Sequence, residues 1–188
     1  MFINIVTICY NNLIGLRSTH ESIIFQSYKS FNWIVIDGGS TDGTVDYVNA
    51  IINQKGINVI FKSESDLGVY DAMNKGLDKS NGDYVIFLNA GDSFCSNDVL
   101  KNVVSKIDNN FALIYGHFYR ELKTGDLTLV KAKPLKYIYH SLPTSHQAIF
   151  YNLKKLNGLV YDLDYKICSD YYFTSKLVMK LNLISLKD

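Results

Sequence analysis

The amino-acid sequence predicts an α/β fold with a mostly parallel central sheet, and three observations support this prediction. Short apolar runs alternate with segments of helical periodicity through the first half of the 188-residue chain. Each run ends in a small polar or acidic turn, as in YVIFLNAGD, from Tyr84 to Asp92. Strands that alternate with helices form right-handed βαβ units, whose parallel strands share one carboxyl edge. Ligand sites in open α/β sheets collect at that edge, so these turns are the candidate functional positions.

The first half of the chain predicts strands and helices in strict alternation. Apolar, β-branched runs predict strands at Ile3 to Ile8, Phe31 to Ile36, Asn58 to Phe61 and Val85 to Leu88. Apolar residues at helical spacing predict the intervening helices at Leu13 to Gln26, Val45 to Ile52 and Val69 to Leu77. Runs without polar alternation are typical of strands that are buried on both faces.

In the second half the predicted strands and helices no longer alternate, which indicates an α+β arrangement. A helix capped by Asn97 or Asp98 runs to about Ile107, and a later helix spans Asp170 to Leu181. The predicted strands are Ala112 to Tyr119, Leu127 to Ala132 and Ser145 to Tyr151, with a hairpin turn at Lys123 to Asp126. No linker-like segment separates the halves, so we expect one domain over 1–188.

The composition fits an ordinary soluble globular protein, with 47% hydrophobic and 20% charged residues. The net charge of +1 gives no electrostatic reason to expect a nucleic-acid or anionic-membrane partner. The 3 cysteines lack C-x-x-C spacing, which argues against a zinc ribbon or disulfide framework and suits a reducing compartment. The N-terminus lacks the basic region of a signal peptide, and no apolar run reaches the roughly 18 residues of a membrane span. We therefore expect a cytoplasmic protein.

Three acidic residues follow successive predicted strands: Asp37, Asp66 and Asp92. The carboxyl ends of parallel strands share one edge, so these side chains could meet in one crevice. Clustered carboxylates repel each other unless a cation compensates, which favours Mg²⁺ or Mn²⁺ bound jointly with a diphosphate. Three independent helix caps would explain the same pattern. Phosphate loops and dinucleotide fingerprints are absent, because neither G-x-x-x-x-G-K-[ST] nor G-x-G-x-x-G occurs at these turns.

Four segments, in this order and spacing, resemble the family 2 glycosyltransferases of GT-A fold: IVTICYNN, IVIDGGSTDGT, SESDLGVYDAMNKGL and YVIFLNAGD. The nearest resemblance is to the bacterial group that builds capsule, exopolysaccharide or O-antigen repeat units. It covers Ile3 to Asp92 and extends more weakly through Ser145 to Tyr151 and Tyr161 to Phe173. It implies a Rossmann-like nucleotide-sugar-binding half (1–95) and a smaller acceptor-binding half (96–188). Members of the group continue further, so a C-terminal segment is expected to be missing.

The resemblance also implies roles for individual residues. Those matched to nucleotide-sugar contacts are Thr7, Tyr10, Asp37, Ser65, Asp66, Asn74, Lys75, Asn89, Ala90 and Gly91. Asp92 closes the family's metal-binding acidic motif and is the implied Mn²⁺ or Mg²⁺ ligand. Two acids of that motif are replaced by Asn89 and Gly91, which leaves Asp92 as its only carboxylate. Met73 stands where many members carry an arginine that contacts phosphate.

For catalysis the resemblance points to Asp170, where the family has the acid that accepts a proton from the acceptor hydroxyl. Such general base catalysis contributes about 10²- to 10⁴-fold. A helix cap or an acceptor-binding residue is the alternative interpretation, and Asp162 and Asp164 are rival carboxylates. His146 matches a His-Gln pair of the subgroup and could contact the metal, the diphosphate or the acceptor. A hydrogen-bonded structural histidine explains it equally well.

We therefore expect an inverting, metal-dependent glycosyltransferase that takes a UDP-linked sugar to a glycan or lipid-linked acceptor in surface polysaccharide biosynthesis. Such an acceptor implies peripheral association with the inner face of the plasma membrane, and no nucleic-acid partner. One alternative is a nucleotidyltransferase, which needs a Gly-rich basic loop where Tyr10, Asn11 and Asn12 stand. The other is a relative that binds nucleotide or glycan without catalysis, an alternative favoured by the loss of two acids from the metal-binding motif.

Overall fold

The computed structural model describes residues 1–53, 56–107 and 111–181. Its strands and helices, in chain order, are β1 (Ile3–Cys9), α1 (Leu13–Ile24), β2 (Phe31–Asp37), α2 (Thr44–Ile51), β3 (Asn58–Ser63), α3 (Val69–Lys79), β4 (Tyr84–Phe87), α4 (Val99–Val104), β5 (Leu113–Tyr115), β6 (Phe118–Glu121), β7 (Leu127–Val130), β8 (Ile149–Asn152), α5 (Leu153–Leu156) and α6 (Ser169–Lys180). Short 3-10 helices occupy Leu135–Tyr139 and His146–Ala148.

A six-stranded sheet forms the centre of the protein, with strand order β3-β2-β1-β4-β8-β5. The pairs β3–β2, β2–β1 and β1–β4 are parallel, whereas β8 is antiparallel to both of its neighbours. Strands β6 and β7 form a separate antiparallel pair. The mostly parallel sheet confirms the α/β prediction.

Helices cover both faces of the sheet and create two apolar cores. The first core packs β1 residues such as Val6 against α3 and α6, including Met73 and Phe173. The second core packs the alternate β1 residues, such as Ile5, against α1, α2 and α4, including Leu16. Because both faces are covered, every residue of β1 and β2 is buried. Complete burial of one such aliphatic side chain contributes about 1.5–3 kcal/mol.

The predicted strand from Ala112 to Tyr119 is wrong as a single element, because it divides at Gly116. The Gly116 amide donates to the Ala148 carbonyl at 3.2 Å, and its carbonyl accepts from the Thr144 hydroxyl at 2.7 Å. These bonds direct the chain from β5 of the central sheet into the separate β6–β7 hairpin. The predicted strand from Ser145 likewise begins as a 3-10 helix. The hairpin turn is confirmed: the Leu122 amide donates to the Asp126 carbonyl at 2.9 Å.

The direction of the strands decides where the connecting segments leave the sheet. Strands β4 and β5 both run antiparallel to β8, so they run in the same direction and end at the same edge. The turn after β4 and the segment that leads from β5 into the hairpin therefore start from one edge. No helix within the described ranges is long and apolar enough to cross a membrane.

Candidate functional site

A cavity of about 360 Å³ lies at the carboxyl edge of the parallel strands. Its walls come from the ends of β1 and β4, from the loop after β3 and from the start of α3. The lining residues are Ile8, Cys9, Tyr10, Asn12, Asp66, Gly68, Val69, Ala72, Asn89 and Ala90. A cavity at this edge agrees with the predicted position, but of the three acids expected to meet in one crevice only Asp66 is among the lining residues, and Asp37 and Asp92 are not.

Two asparagines after β1 tie the cavity walls together. Asn11 adopts a left-handed φ of +48°, donates its amide to the Ser40 hydroxyl at 2.7 Å and accepts from the Thr41 amide at 2.8 Å. The Asn12 side chain caps α1 and donates to the Ala90 carbonyl at 3.0 Å. The turns after β2 and β4 are thereby fixed to the turn after β1. The sequence showed this polar pair at a strand end but gave no sign of its bridging role.

Asp37 builds the turn after β2, and its carboxylate is occupied by that turn and by the end of β3. One oxygen accepts from the amides of Gly39 and Ser40 at 3.1 and 2.9 Å and from the Ser63 hydroxyl at 2.7 Å. The other oxygen accepts from the Ser40 hydroxyl. The residue is completely buried. Asp37 therefore does not present a free oxygen to a nucleotide base, and its hydrogen bonds favour a role in holding the turn.

Asp66, which was predicted from its strand end, and Tyr10, which was implied by the resemblance, both line the cavity. One carboxylate oxygen of Asp66 accepts from the Gly68 amide at 2.9 Å. A Cβ atom on Gly38 would lie 2.6 Å from the other Asp66 oxygen and 3.2 Å from Tyr10 Cδ2. The absence of a side chain at Gly38 thus lets the carboxylate and the ring approach the same backbone. The Tyr10 side chain is 66% exposed at the mouth, where a planar ligand could stack on it.

Lys75 holds the loop that carries Ser65 and Asp66. Its ammonium pairs with Glu64 at 3.1 Å and with Asp71 at 3.0 Å, and it donates to the Ser65 carbonyl at 3.0 Å. All three of its donors are thereby used. Lys75 was expected to contact a nucleotide sugar, but these contacts make it a residue that shapes the cavity wall. Ser65 itself is exposed at the outside of that loop.

Thr19 of α1 shapes the turn after β4. Its hydroxyl lies 2.7 Å from the Asp92 carbonyl and 3.2 Å from the Asn89 carbonyl, and it accepts from the Gly91 amide at 3.0 Å. Gly91 has a left-handed φ of +105°, which favours glycine, so its presence in this motif has a backbone reason. Thr19 gave no signal in the sequence, because a threonine within a helix is unremarkable.

Asn89 and Asp92 supply the oxygen atoms of this turn. Asn89 Oδ1 is buried and has no hydrogen-bond partner in the described parts of the chain. Burial raises the pKa of the Asp92 carboxyl, and a hydrogen bond from the Asn89 backbone amide opposes that shift. Leaving a buried carbonyl oxygen unpaired costs about 1–3 kcal/mol, which a bound donor or cation would remove.

The side-chain oxygens of Asn89 and Asp92 would hold a hard divalent cation only if a bound substrate supplied further coordinating atoms. The described residues contain no cluster of three His, Cys, Asp or Glu side chains that could hold a metal alone. Mg²⁺ characteristically takes one or two protein carboxylates and obtains its other ligands from phosphates and water. Asp92 and the unpaired Asn89 Oδ1 suit that mode of binding.

Asp170 lies in the first turn of α6, beside the helix that borders the cavity. Its Oδ1 accepts from the Tyr70 hydroxyl at 3.3 Å and from the Tyr171 amide at 2.9 Å. Tyr70 follows Val69, a cavity-lining residue, so the hydroxyl links Asp170 to the cavity wall. No hydrogen bond occupies Asp170 Oδ2 in the described structure.

The rival carboxylates have other surroundings. Asp162 Oδ1 accepts from the Asp164 amide at 3.1 Å, which closes a local turn. Asp164 is exposed.

His146 lies in the first core, and we do not retain it as a metal ligand. Only 4% of its surface is exposed, and its Nε2 lies 2.8 Å from the Tyr161 hydroxyl. Rings of Phe87, Tyr151 and Tyr161 surround it. Asn74 fixes the same Tyr161 by exchanging two hydrogen bonds with its backbone, at 2.9 and 2.8 Å. Asn74 is therefore committed to packing α3 against this segment, not to a nucleotide.

Acidification is expected to destabilise the fold through His146. Burial lowers its pKa to about 4 from 6.5, and the nearby Asp170 opposes this shift. The unfolded chain therefore takes up a proton between about pH 6.5 and 4 that the folded protein excludes, so the free energy of unfolding falls as pH falls through that window. At 1.36 kcal/mol per pKa unit the loss reaches about 3 kcal/mol.

Urea unfolding of the wild type and of His146→Gln at pH 7 and pH 5 measures this effect. Burial raises the pKa of Tyr151 and of Tyr161, so neither hydroxyl changes its protonation between pH 7 and pH 5 in either protein. The variant should lose less stability on acidification than the wild type. Equal losses would contradict the assignment of the pH sensitivity to His146.

Thr7 does not reach the cavity, although the resemblance implied contact with a base. It is completely buried. Its hydroxyl donates to the Leu88 carbonyl at 2.8 Å and accepts from the Trp33 indole at 2.9 Å. The side chain therefore cross-links β1 to β2 and to the end of β4.

Comparison with known proteins adds a family relationship to this geometry. The family described as "Glycosyl transferase family 2" matches residues 4–175. A PGL/p-HBAD biosynthesis glycosyltransferase of Mycobacterium bovis (strain BCG / Pasteur 1173P2) is 34% identical over 157 residues, which cover 81% of this chain and 60% of the relative. An uncharacterized glycosyltransferase of Haemophilus influenzae is 31% identical over 139 residues, covering 72% and 55%. The chain thus spans little more than half the length of these relatives.

Solved structures share the fold at low sequence identity. S. aureus TarS 1-349 in complex with UDP-GlcNAc superposes with a TM-score of 0.76 at 20% identity, covering 93% of this chain and 52% of that one. The mannosyltransferase PcManGT from Pyrobaculum calidifontis, in complex with GDP-Man and Mn²⁺, gives 0.74 at 17% identity, covering 95% and 52%. These likenesses support the GT-A fold expected from the motifs.

Proposed function

The chain belongs to glycosyltransferase family 2, and from this premise we propose that it transfers a sugar from a nucleotide-sugar donor to a glycan or lipid-linked acceptor. The observation that carries the proposal is the unpaired, buried Oδ1 of Asn89, a residue that lines the cavity at the strand ends and precedes Asp92 in the same turn. A buried oxygen without a partner favours a ligand that brings donors or a cation. A nucleoside diphosphate sugar can bring both.

The cavity walls suggest how the donor would bind. The exposed ring of Tyr10 and the Asp66 oxygen that accepts no hydrogen bond from the described residues offer stacking and a hydrogen-bond acceptor for the nucleoside. We propose a UDP-linked donor, in line with the resemblance and with the UDP-GlcNAc complex of TarS. Its diphosphate would then lie near the Asn89–Asp92 turn. Ala90 and Gly91 let the backbone approach it closely.

Asp92 and Asn89 would hold Mn²⁺ or Mg²⁺, as the Mn²⁺ complex of PcManGT suggests for a related fold. The bound ion would stabilise negative charge on the departing diphosphate. The residues of the chain itself orient the donor: Thr19 and Asn12 fix the turn that carries these oxygens.

Asp170 is the proposed general base. The acceptor hydroxyl oxygen would attack the anomeric carbon as the bond from that carbon to the diphosphate breaks, and the hydroxyl proton would pass to Asp170. A single displacement of this kind inverts the anomeric configuration. Tyr70 and the Tyr171 amide bond only Oδ1, which leaves Oδ2 for the acceptor. Hydrogen-bond contact between a base and the proton that it removes is the geometric requirement for such catalysis.

We assign donor binding to residues 1–95 and acceptor binding to residues 96–188, within a protein that works in surface polysaccharide biosynthesis at the inner face of the plasma membrane. The cavity residues come from β1, from α3 and from the segments that follow β1, β3 and β4, which all belong to the first part. Asp170 lies in the second part and would meet the acceptor. A lipid-linked acceptor explains why the protein would work at a membrane surface.

A thermal-shift series with UDP-sugars, GDP-sugars and Mn²⁺ tests donor binding. We expect stabilisation of about 2.7 kcal/mol at a hundredfold excess over the dissociation constant, and more with Mn²⁺ than without. Tyr10→Ala should reduce the shift. Phe25→Ala removes a similarly exposed ring at the end of α1 (63% against 66% exposed) and should not.

Two outcomes would overturn the proposal. If no nucleotide sugar stabilises the protein while a nucleoside triphosphate and a sugar phosphate react, the chain is a nucleotidyltransferase. If nucleotide sugars bind but no sugar is transferred to water or acceptor, and Asp170→Asn changes nothing, the chain binds without catalysis. Replacement of the family's acids by Asn89 and Gly91 is the observation that favours this second outcome.

A further inference from the structure

The β6–β7 hairpin exposes a mostly apolar face, which also carries the acidic Glu121, and nothing in the described structure covers it. Tyr119 pairs with Leu129 and Glu121 with Leu127, so these side chains project from one face of the ribbon. Tyr119, Leu127 and Leu129 are 51%, 65% and 45% exposed. A two-stranded ribbon alone is at best marginally stable in water, because it cannot bury such residues itself.

Positive charge is concentrated on the same segment. Residues 117–140 carry five basic side chains and two acidic ones, although the whole chain has a net charge of only +1. The five are exposed, and no ion pair within the described ranges neutralises them: Arg120, Lys123, Lys131, Lys133 and Lys136. The acidic Asp126 accepts from the Thr124 hydroxyl at 2.8 Å. Net charge over the whole chain therefore conceals a local basic surface.

This segment leaves the sheet at the edge that holds the cavity. It follows β5, which ends at the same edge as β4 because both run antiparallel to β8. Tyr137 and Tyr139, which are 43% and 42% exposed, continue the apolar exposure after the hairpin. We call the exposed side chains of residues 117–140 the hairpin surface.

We propose that the hairpin surface docks on an anionic phospholipid membrane. Leucine and tyrosine side chains can enter the boundary between headgroups and acyl chains, and lysine and arginine side chains attract anionic headgroups. The strength of such binding grows with the buried apolar area and with the attraction to anionic lipids, and this surface offers both. A second copy of the chain fits less well, because a symmetric contact would bring two sets of five cations together.

The consequence for catalysis rests on the proposed function. A membrane on the hairpin surface would lie next to the cavity edge, where a lipid-linked acceptor would present its sugar hydroxyl. Attachment would confine the enzyme to the layer that contains the acceptor. Transfer to a lipid-linked acceptor in vesicles would then depend on anionic lipid, whereas donor binding in solution would not.

Vesicle co-sedimentation tests the docking directly. Phosphatidylcholine vesicles that contain about a third phosphatidylglycerol have a strongly negative surface and should bind the wild type. Vesicles of pure phosphatidylcholine should not bind it. Added salt should weaken the binding, because it screens the charges. Leu127→Ser with Leu129→Ser, and separately Lys131→Gln with Lys133→Gln, should each weaken vesicle binding by about tenfold or more, because the first pair loses buried apolar area and each lost lysine removes an attraction to anionic lipid.

Matched controls lie on another part of the surface. Phe25→Ser removes an exposed apolar side chain, and Lys101→Gln with Lys106→Gln removes two exposed cations of the α4 region. These variants should bind vesicles like the wild type. The lysine variants should leave the hairpin fold intact, so they remain informative if the leucine variants alter it.

Three results would overturn the proposal: no binding to anionic vesicles, equal losses in hairpin and control variants, or hairpin-dependent dimerisation in sedimentation velocity without vesicle binding. The thermal shift with nucleotide sugars is recorded on the same proteins. If donor stabilisation persists while vesicle binding fails, only the docking is wrong. If vesicle binding persists without donor stabilisation, the failure lies with the proposed function.

Discussion

Asp170→Asn is expected to lower the rate constant of sugar transfer by about 10²- to 10⁴-fold, the usual contribution of a general base. The amide is close to the carboxyl in shape and can keep the bonds from the Tyr70 hydroxyl and the Tyr171 amide, but it cannot take up the acceptor proton. Donor affinity should change little, because the cavity walls do not include Asp170. Steady-state kinetics and the donor thermal shift together separate the two effects.

The rival carboxylates provide the control for this expectation. Asp162→Asn and Asp164→Asn alter side chains within ten residues of Asp170 in the same segment, one engaged in a local turn and one exposed. Each should retain most of the transfer rate. If Asp162→Asn abolishes transfer and Asp170→Asn does not, the base has been assigned to the wrong carboxylate. If all three variants remain active, none of these groups removes the proton.

The first half of the fold could be predicted because its strands are uninterrupted apolar runs, a pattern that burial on both faces imposes. β1 and β2 begin at the predicted residues Ile3 and Phe31. The second half was less predictable, because its elements depend on distant partners. Gly116 divides a strand only through its contacts with Thr144 and Ala148, and sequence periodicity carries no record of such contacts.

The same limit applies to the candidate site. The position of the strand ends predicted Asp66, and the family resemblance pointed to Tyr10 and Asn89; all three line the cavity. Neither could tell which polar side chains are already satisfied. Asp37 and Lys75 look like ligand contacts in the sequence, yet their hydrogen-bonding groups are used within the protein.

Some residues that the sequence suggests as ligand contacts lie in the core instead. A histidine or threonine at a strand end reads the same in a sequence whether it faces a cavity or a core. Thr7 and the Nε2 atom of His146 are buried with partners, whereas His146 Nδ1 has none in the described parts of the chain, and only the structure reveals these surroundings. The sequence shows the chemical type of these side chains but not whether they face a cavity or the core.

Asp92→Asn is expected to abolish the Mn²⁺-dependent part of donor stabilisation and to lower transfer by about 10²- to 10³-fold, as removal of one group that stabilises transition-state charge commonly does. The substitution removes charge but leaves the turn intact. Its backbone carbonyl can still accept from Thr19, and its backbone amide can still donate to the Asn89 carbonyl at 2.9 Å. Asp46→Asn, in an exposed position of α2, is the matched control and should bind Mn²⁺ and donor like the wild type.

The reciprocal variant, Asn89→Asp, distinguishes a metal site from a purely structural turn. A second carboxylate would bring the turn closer to the family's acidic motif and should tighten Mn²⁺ binding, because affinity for hard cations rises with ligand charge. Without the cation the two carboxylates would repel each other, so the metal-free variant should unfold at a lower temperature than the wild type. Mn²⁺ titrations followed by thermal unfolding measure both effects at once. A variant that loses stability without gaining Mn²⁺ affinity would show that residue 89 does not bind the metal.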